Sequence, residues 1–367
     1  MSGAKEVHGS LEFLRSFEKY TEAPDLTALV RGRMEKDPTV LHLRCQGLSE
    51  EEFRILAGMD VLSRVHDLDL TETGLSTAGW LHLCGSPHLG SIATLTLGNN
   101  NLDDDALFYL SKVPVFAKVR QLDLPANEIG PVGVKLLTRS TTLKDLEALD
   151  LSYNRIQSSG IQSLAESTLG GQLKHLRLTD TGIGDAGLDL FGRKAAMQNL
   201  ETLDLSDNHL TDQGIASLAQ SDRFPRLKAL ILDNNHLGDD GVYALSEGPL
   251  GAQLEELRLK CNGLTADAAI SLAKSPQLTR LKRLNLNNND LRAEGAQALA
   301  ASANLQALET LDLGENRLNA EGAVALANCP HLTHLQELRL NNDNIADAGA
   351  RALAGSPHLA RLEAHYL

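Results

Sequence analysis

The chain has 367 residues, a formal net charge of −14 and an aromatic content of only 4%. This charge argues against binding to a nucleic-acid backbone, which requires a basic stripe, so we expect no DNA or RNA partner. No apolar stretch is long enough to span a membrane, and the first ten residues lack the apolar core of a signal peptide.

The cysteines point to the same kind of environment. They form neither a C-x-x-C pair nor a zinc spacing with nearby histidines. The four are Cys45, Cys84, Cys261 and Cys329. We expect reduced thiols in a cytoplasmic protein, and export without a recognisable signal is the alternative.

Residues 1–39 precede the repetitive part of the chain. In "SLEFLRSFEKY", Leu11, Leu14 and Phe17 fall on one helical face, and "DLTALVRGRMEKD" begins with Asp25 as a helix cap. Solenoid proteins need covered ends, so we expect residues 1–39 to be an N-terminal helical cap. A docking module is the alternative function of this segment.

Residues 40–367 repeat one pattern every 27 residues, without insertion, in twelve copies. The frame is L-x-x-L-x-L-x-x-N-x-L, as in "LETLDLSDNHL" at Leu200–Leu210. Its alternating leucines predict a short strand with one buried face. In the following "TDQGIASLAQS", Ile215 and Leu218 have helical spacing, and Asp212 lies where a helix N-terminus favours an acid. Each copy therefore predicts strand, turn, helix and turn.

This pattern resembles the leucine-rich repeat. Segments such as Gly214–Ala219 and Gly349–Ala354 (G-x-x-x-L-A) make it similar to the ribonuclease-inhibitor-like subclass, and the turns at Ser86, Ser275 and Ser356 resemble bacterial members. The resemblance implies an α/β solenoid, or horseshoe, with parallel strands on the concave face and helices on the convex face. The subclass includes the Ran GTPase-activating protein, so GTPase regulation is one implied function. Ribonuclease inhibitors alternate slightly longer repeats, which weakens the transfer of any particular partner.

Two recurring residues predict structural roles. Nine copies carry a glycine equivalent to Gly214, which would let the helix and strand layers approach closely. Eight copies carry an asparagine equivalent to Asn154, and the resemblance implies that its amide bonds to the backbone of neighbouring turns. Such bonds satisfy buried backbone groups that would otherwise lack partners.

Short matches to catalytic and metal motifs fit the repeat better than a site. "GIGDAG" (182–187) and "DLDLT" (67–71) lack the strand, helix and companion motifs of their families, and "NLDDDAL" (101–107) lacks the glycine and distant glutamate of a calcium loop. His209 and His236 lie one repeat apart and should be close, but no third ligand is evident. We therefore predict no enzyme activity, no cofactor and no metal.

The residues beside the strand leucines should point to the concave face, because side chains alternate along a strand. From the second to the eighth repeat this face is acidic apart from Arg177, and from the ninth it mixes both signs. Tyr153 and Ile231 are unusual there, and with Arg177 they form the preferred hot-spot hypothesis. The candidate protein-binding residues are Asp67, Asp69, Glu72, Asp123, Asp150, Tyr153, His175, Arg177, Asp204, Asp207, Ile231, Asp233, Arg258, Lys260 and Arg283.

These observations predict a cytoplasmic, non-enzymatic scaffold that binds another protein with a basic surface. The alternatives are a GTPase regulator and an exported bacterial effector or surface interaction protein. The chain ends with "LEAHYL", a partial thirteenth strand with His365 in a leucine position. Self-association through this uncapped edge is a further hypothesis.

Overall fold

The computed structural model describes residues 25–195 and 197–362, together with the backbone of residues 364–366. The segment with Leu11, Leu14 and Phe17 lies outside these residues. Thirteen strands form one parallel sheet, hydrogen-bonded in chain order. They are β1 (Val40–His42), β2 (Asp67–Asp69), β3 (Thr94–Thr96), β4 (Gln121–Asp123), β5 (Ala148–Asp150), β6 (His175–Arg177), β7 (Thr202–Asp204), β8 (Ala229–Ile231), β9 (Glu256–Arg258), β10 (Arg283–Asn285), β11 (Thr310–Asp312), β12 (Glu337–Arg339) and β13 (Ala364–Tyr366).

Helices cover the other side of this sheet, so the horseshoe solenoid expected from the sequence is confirmed. Helices of adjacent repeats pack against each other along the chain. Short 3₁₀ helices at Asp60–Arg64, Pro114–Phe116 and Pro249–Gln253 connect some helices to the next strand. The α-helices of the described residues are α1 (Leu26–Met34), α2 (Glu50–Ala57), α3 (Thr77–Cys84), α4 (Asp104–Lys112), α5 (Pro131–Leu137), α6 (Gln157–Ala165), α7 (Thr168–Gln172), α8 (Gly184–Lys194), α9 (Asp212–Ala219), α10 (Gly238–Glu247), α11 (Ala266–Lys274), α12 (Arg292–Ala300), α13 (Asn319–Ala327) and α14 (Ala346–Ala354).

The register of the sheet follows the repeat. Leu122 pairs with Leu149, and every other strand pair is also offset by 27 residues. The leucine at the centre of each three-residue strand points into the core, and Leu149 is 1% exposed. Burying one such side chain stabilises the fold by roughly 1.5–3 kcal/mol, so the repeated leucines dominate the folding free energy. The residues before and after that leucine consequently face the opposite, concave side.

The predicted asparagine role is confirmed, and these side chains form an asparagine ladder. The Nδ2 group of Asn154 donates to the carbonyl oxygens of Leu124, Leu151 and Ser152 at 2.9–3.1 Å. Its Oδ1 atom accepts from the amide of Ile129 at 3.0 Å. One side chain thus joins two successive repeats and satisfies four buried backbone groups. The ladder consists of Asn100, Asn127, Asn154, Asn208, Asn235, Asn262, Asn289 and Asn316.

The predicted close approach at the glycines is also confirmed. A Cβ atom on Gly241 would lie 2.8 Å from both Asp212 Oδ1 and Ile215 Cγ2, closer than real Cβ atoms come to such neighbours. Asp212 also accepts a 2.7 Å hydrogen bond from the Gly241 amide. Glycine at this position therefore allows adjacent helices to touch.

The two ends of the solenoid differ. At the N-terminal end, the Asp25 side chain accepts from the Thr27 amide at 3.2 Å, and α1 buries Leu26, Val30 and Met34 in the common core. At the C-terminal end β13 pairs with β12, with His365 opposite Leu338. The partial thirteenth strand expected from the sequence is therefore present.

Candidate protein-binding surface

Most of the predicted binding residues lie where the alternation of side chains places them. Ten of the fifteen flank the central leucine of a strand, as Asp150 flanks Leu149 in β5. Glu72, Tyr153, Asp207, Asp233 and Lys260 instead follow their strands and lie on the turn that borders the sheet. The concave surface therefore has a strand part and a turn part, a division that the repeat pattern did not indicate.

Two adjoining depressions occupy the middle of this surface. The strand depression has a volume of about 450 Å³ and extends from β3 to β8. The turn depression, about 400 Å³, lies beside it and shares Pro125, Asp150 and Arg177 with it. The strand depression is lined by Asp123, Asp150, His175, Arg177 and Ile231, and the turn depression by Asp150, Tyr153, Arg177, Asp204, Asp207 and Asp233. The hot-spot residues proposed from the sequence thus border one continuous concavity.

Tyr153 has an unusual backbone for a tyrosine. It precedes the ladder asparagine Asn154, and in all twelve repeats the residue at this position has a φ between 50° and 64°. Asparagine or aspartate occupies the position in six repeats and tolerates this left-handed conformation, whereas a bulky residue there is a genuine outlier. The Tyr153 side chain is nevertheless 56% exposed, so no burial of the ring offsets the strain.

Several of the predicted acids are engaged within the protein. Asp69, Asp204 and Asp233 are buried, and each is held by an arginine of the neighbouring repeat. Arg44 pairs with Asp69, and Arg177 Nε lies 3.9 Å from Asp204 Oδ2. These three carboxylates are therefore parts of the sheet surface more than free contact groups.

The pKa values of the paired acids reflect a balance between burial and their partners. Burial raises the pKa of Asp69, but hydrogen bonds from Thr71 and Arg44 outweigh it and the pKa is lower than usual. For Asp233, burial prevails and the pKa is raised, although Arg258 Nε donates to Oδ2 and the Lys260 amide donates to Oδ1, both at 2.9 Å. The structure buries Asp233 more deeply than its partners can compensate.

Asp123 and Asp150 form the exception on this face. They are register partners on β4 and β5, and within the described part of the chain neither has a basic nitrogen within 4.0 Å. Gln121 Nε2 donates to Asp123 at 2.7 Å, and the Ser152 amide donates to Asp150 at 2.9 Å. Burial raises the pKa of Asp123, and the negative charge of Asp150 raises it further. Two adjacent carboxylates thus face the strand depression without an ion-pair partner.

The remaining predicted residues lie away from these depressions. At one end Asp67 lies 3.3 Å from His42 Nε2, and Glu72 accepts a contact from Cys45 Sγ at 3.4 Å. At the other end Arg283 Nε donates to Glu256 at 2.8 Å. The structure therefore does not bring all fifteen residues into one site.

Sequence reasoning missed a second charge pattern along the start of the strands. Glutamates and basic residues alternate there with a spacing of 27 residues, and neighbours pair across repeats: Lys174 lies 3.1 Å from Glu147, and Lys228 lies 2.9 Å from Glu201. Alternation of charge at one repeat position was visible in the sequence and could have revealed the pattern. This charge ladder consists of Arg120, Glu147, Lys174, Glu201, Lys228, Glu255, Lys282 and Glu309.

The metal and membrane predictions concern features with few positive observations. His209 and His236 are close, as predicted, with their rings stacked 5.9 Å apart. Among the described residues no three histidine, cysteine or acidic side chains are arranged to hold a metal ion. No helix in the same part of the chain is long and apolar enough to cross a membrane.

Comparison with known proteins supports the repeat assignment. Seven segments match a family model described as "Leucine Rich repeat": residues 142–165, 173–192, 196–219, 226–246, 277–300, 304–327 and 331–354. No curated protein matches the chain. Together with the sheet and helix layers, these matches define the class: the chain is a leucine-rich-repeat solenoid protein.

Two solved structures illustrate the breadth of this similarity. An internalin from Listeria monocytogenes is 18% identical, with a TM-score of 0.49, over 87% of this chain and 89% of that one. A plant ice-binding protein is also 18% identical, with a TM-score of 0.37, and the match covers 62% of this chain and 65% of that one. At this identity and these scores, neither neighbour identifies a partner for the present chain.

Proposed function

We propose that this protein is a non-enzymatic cytoplasmic scaffold that binds another protein through its concave sheet. The carrying observation is the concavity of β3–β8, which brings Tyr153, Arg177 and Ile231 together around two adjoining depressions. Interfaces concentrate their binding energy in a few aromatic and arginine side chains, surrounded by polar groups that exclude water. The acidic residues around the depressions favour a partner with a basic surface.

The rigidity of the sheet supports this role. Each concave side chain belongs to, or directly follows, a strand whose central leucine is buried, and the asparagine ladder holds the intervening turns. A preorganised surface loses little conformational entropy when a partner binds, which improves affinity for a given contact area. The strained backbone of Tyr153 fits the same role, because such strain persists where function requires a particular side chain.

Affinity capture from cell lysate with matched variants tests the proposal. Immobilised wild-type protein is compared with the double variant Tyr153→Ala, Asp150→Ala and with Tyr243→Ala, since Tyr243 on α10 has a similar exposure of 58%. We expect proteins captured by the wild type and by Tyr243→Ala to be lost or strongly reduced with the double variant. Equal capture by all three proteins would remove the concave patch from consideration.

The subclass and the alternative functions remain proposals. A helix in every repeat supports similarity to the ribonuclease-inhibitor-like subclass. GTPase regulation is tested by measuring GTP hydrolysis by small GTPases with and without the protein. Export is tested by assaying the medium of intact cells.

A further inference from the structure

We infer that the concave sheet receives an extended segment of the partner that places one lysine or arginine between Asp123 and Asp150 and one apolar side chain against Ile231. This inference rests on the proposed function and specifies the chemistry of the partner. It concerns an unpartnered sheet face with a formed depression of about 450 Å³, large enough for a long basic side chain.

The pattern of ion pairs on the concave face indicates where a cation is missing. Buried acids elsewhere on the face each have an arginine from an adjacent repeat: Asp69 has Arg44, Asp204 has Arg177, Asp233 has Arg258 and Asp312 has Arg339. Asp123 and Asp150 have no such partner within 4.0 Å among the described residues. An incoming cation would supply for this pair what the chain supplies for the others.

Adjacent strands place the two carboxylates side by side. Strand neighbours lie about 4.8 Å apart, so one ammonium or guanidinium group can contact both side chains at once. Ala148, Pro125 and Ile231 contribute apolar surface to the same depression. A lysine or arginine would lay its aliphatic stem along such surface while its charged end reaches the acids.

Arg177 limits the site to a single cation. It lies one strand beyond Asp150 on β6 and is directed toward Asp204, with 3.9 Å between Arg177 Nε and Asp204 Oδ2. A second basic side chain of the partner would meet this guanidinium, and like charges in contact are unfavourable. The position beyond Arg177, where Ile231 lies on β8, instead suits an apolar side chain.

The distance between the two contacts sets the spacing in the partner. Asp150 and Ile231 lie on β5 and β8, three strand steps apart, which corresponds to roughly 14 Å at about 4.8 Å per step. An extended chain advances about 3.4 Å per residue, so about four residues separate the two side chains. An even spacing also puts both side chains on one face of the extended segment. The expected motif is therefore a basic and an apolar residue about four positions apart, in either order.

Selection from a displayed library of random peptides tests this inference. The targets are the wild type, the double variant Asp123→Asn, Asp150→Asn, and a control, Glu128→Gln with Asp222→Asn. The control removes the same two charges from exposed positions away from the sheet. Asparagine keeps the acceptor oxygen that receives the Ser152 amide in Asp150, so the double variant should remain folded, which a thermal melt verifies.

We expect the wild type and the control to enrich peptides with the basic and apolar motif. We expect the Asp123→Asn, Asp150→Asn variant to lose that enrichment and to bind a selected peptide about tenfold more weakly. Ile231→Ser should weaken the same peptide by a smaller factor, because it removes only the apolar contact.

The outcomes separate this inference from the proposed function. Selected peptides that depend on Tyr153 but bind the Asp123→Asn, Asp150→Asn variant unchanged would overturn the inference and leave the scaffold function standing. Peptides without a basic residue would do the same. No enrichment on the wild-type concave face would overturn both.

Discussion

Two sets of aspartates on the same sheet face behave differently. Asp204 and Asp233 are buried and held by Arg177 and Arg258, whereas Asp123 and Asp150 lie next to each other without an arginine in contact. Their repeat positions are similar, so the strand itself does not account for the difference. The residue 25 or 27 positions away does, because that spacing places it in the adjoining repeat.

Asp343 shows what happens when a carboxylate is buried without any cation. It takes the place of a ladder asparagine and is 1% exposed, and its Oδ1 atom accepts from the Asn316 amide at 2.7 Å. Its Oδ2 atom has no hydrogen-bond partner, because a carboxylate cannot donate to carbonyl oxygens as the Asn154 amide does. Burial raises the pKa of Asp343 to about 6, despite hydrogen bonds from Asn316 and Leu318 that lower it.

The largest effect is therefore expected for Asp343→Asn. Since the folded-state pKa is above the unfolded value of 3.8, folding favours the protonated form, and wild-type stability should fall as the pH rises from about 4 to about 6. Asparagine removes this dependence and restores the ladder donors, which should raise the free energy of unfolding at pH 7 by about 2–3 kcal/mol. Urea unfolding at pH 4, 5, 6 and 7 measures both effects. Parallel pH profiles for the two proteins would contradict the expectation.

Removing the cation from a paired acid should have the next largest effect. Arg258→Met leaves Asp233 buried without its ion pair, and we expect a loss of about 2 kcal/mol in unfolding free energy, since Arg258 is itself partly exposed. Arg283→Met is the matched control, because the Arg283 pair with Glu256 is more exposed. A loss of about 0.5 kcal/mol or less is expected there. Equal losses in urea titrations would show that burial does not distinguish the two pairs.

Tyr153→Asn should separate stability from binding. Asparagine adopts the left-handed backbone more readily than tyrosine, so stability should rise by about 1 kcal/mol. The same change should weaken binding of the partner or of a selected concave-face peptide, because it removes the exposed ring. Thermal unfolding and fluorescence polarisation measure the two quantities. An unchanged affinity would identify Tyr153 as neutral on this surface.

The charge ladder should show the smallest effect. Lys228 pairs with Glu201 at 2.9 Å, but both side chains are largely in contact with solvent. Lys228→Gln is expected to change the unfolding free energy by about 0.5 kcal/mol or less at low salt, and by less at high salt. Urea titrations at two ionic strengths check this. A larger loss that persists in high salt would mean that the ladder pairs are effectively buried.

Sequence reasoning reached the architecture because each repeat reports the same local physics. The leucine alternation around Leu149 predicted the strand, and the spacing of Ile215 and Leu218 predicted the helix α9 that follows β7. Asn154 and Gly214 were assigned structural roles that the hydrogen bonds and close contacts support. Twelve repetitions made these local signals unambiguous.

The candidate surface was only partly accessible to the same reasoning. Side-chain alternation placed Asp150, Arg177 and Ile231 on one face, and their concavity agrees with that. The arginines that engage the buried acids were missed, because Arg44 and Arg258 lie outside the repeats counted as acidic. The left-handed turn at Tyr153 was also missed, although asparagine and aspartate recur at that position.

The sequence by itself determined the period, the strand and helix in each repeat and the columns that form the core, because these depend on local spacing and burial. Only the tertiary structure decided which acids are available to a partner. Availability depends on contacts between residues 25 or 27 positions apart and on how deeply each side chain lies, as the contrast between Asp150 and Asp204 shows. Stacking of repeats creates those contacts, and no single repeat contains them.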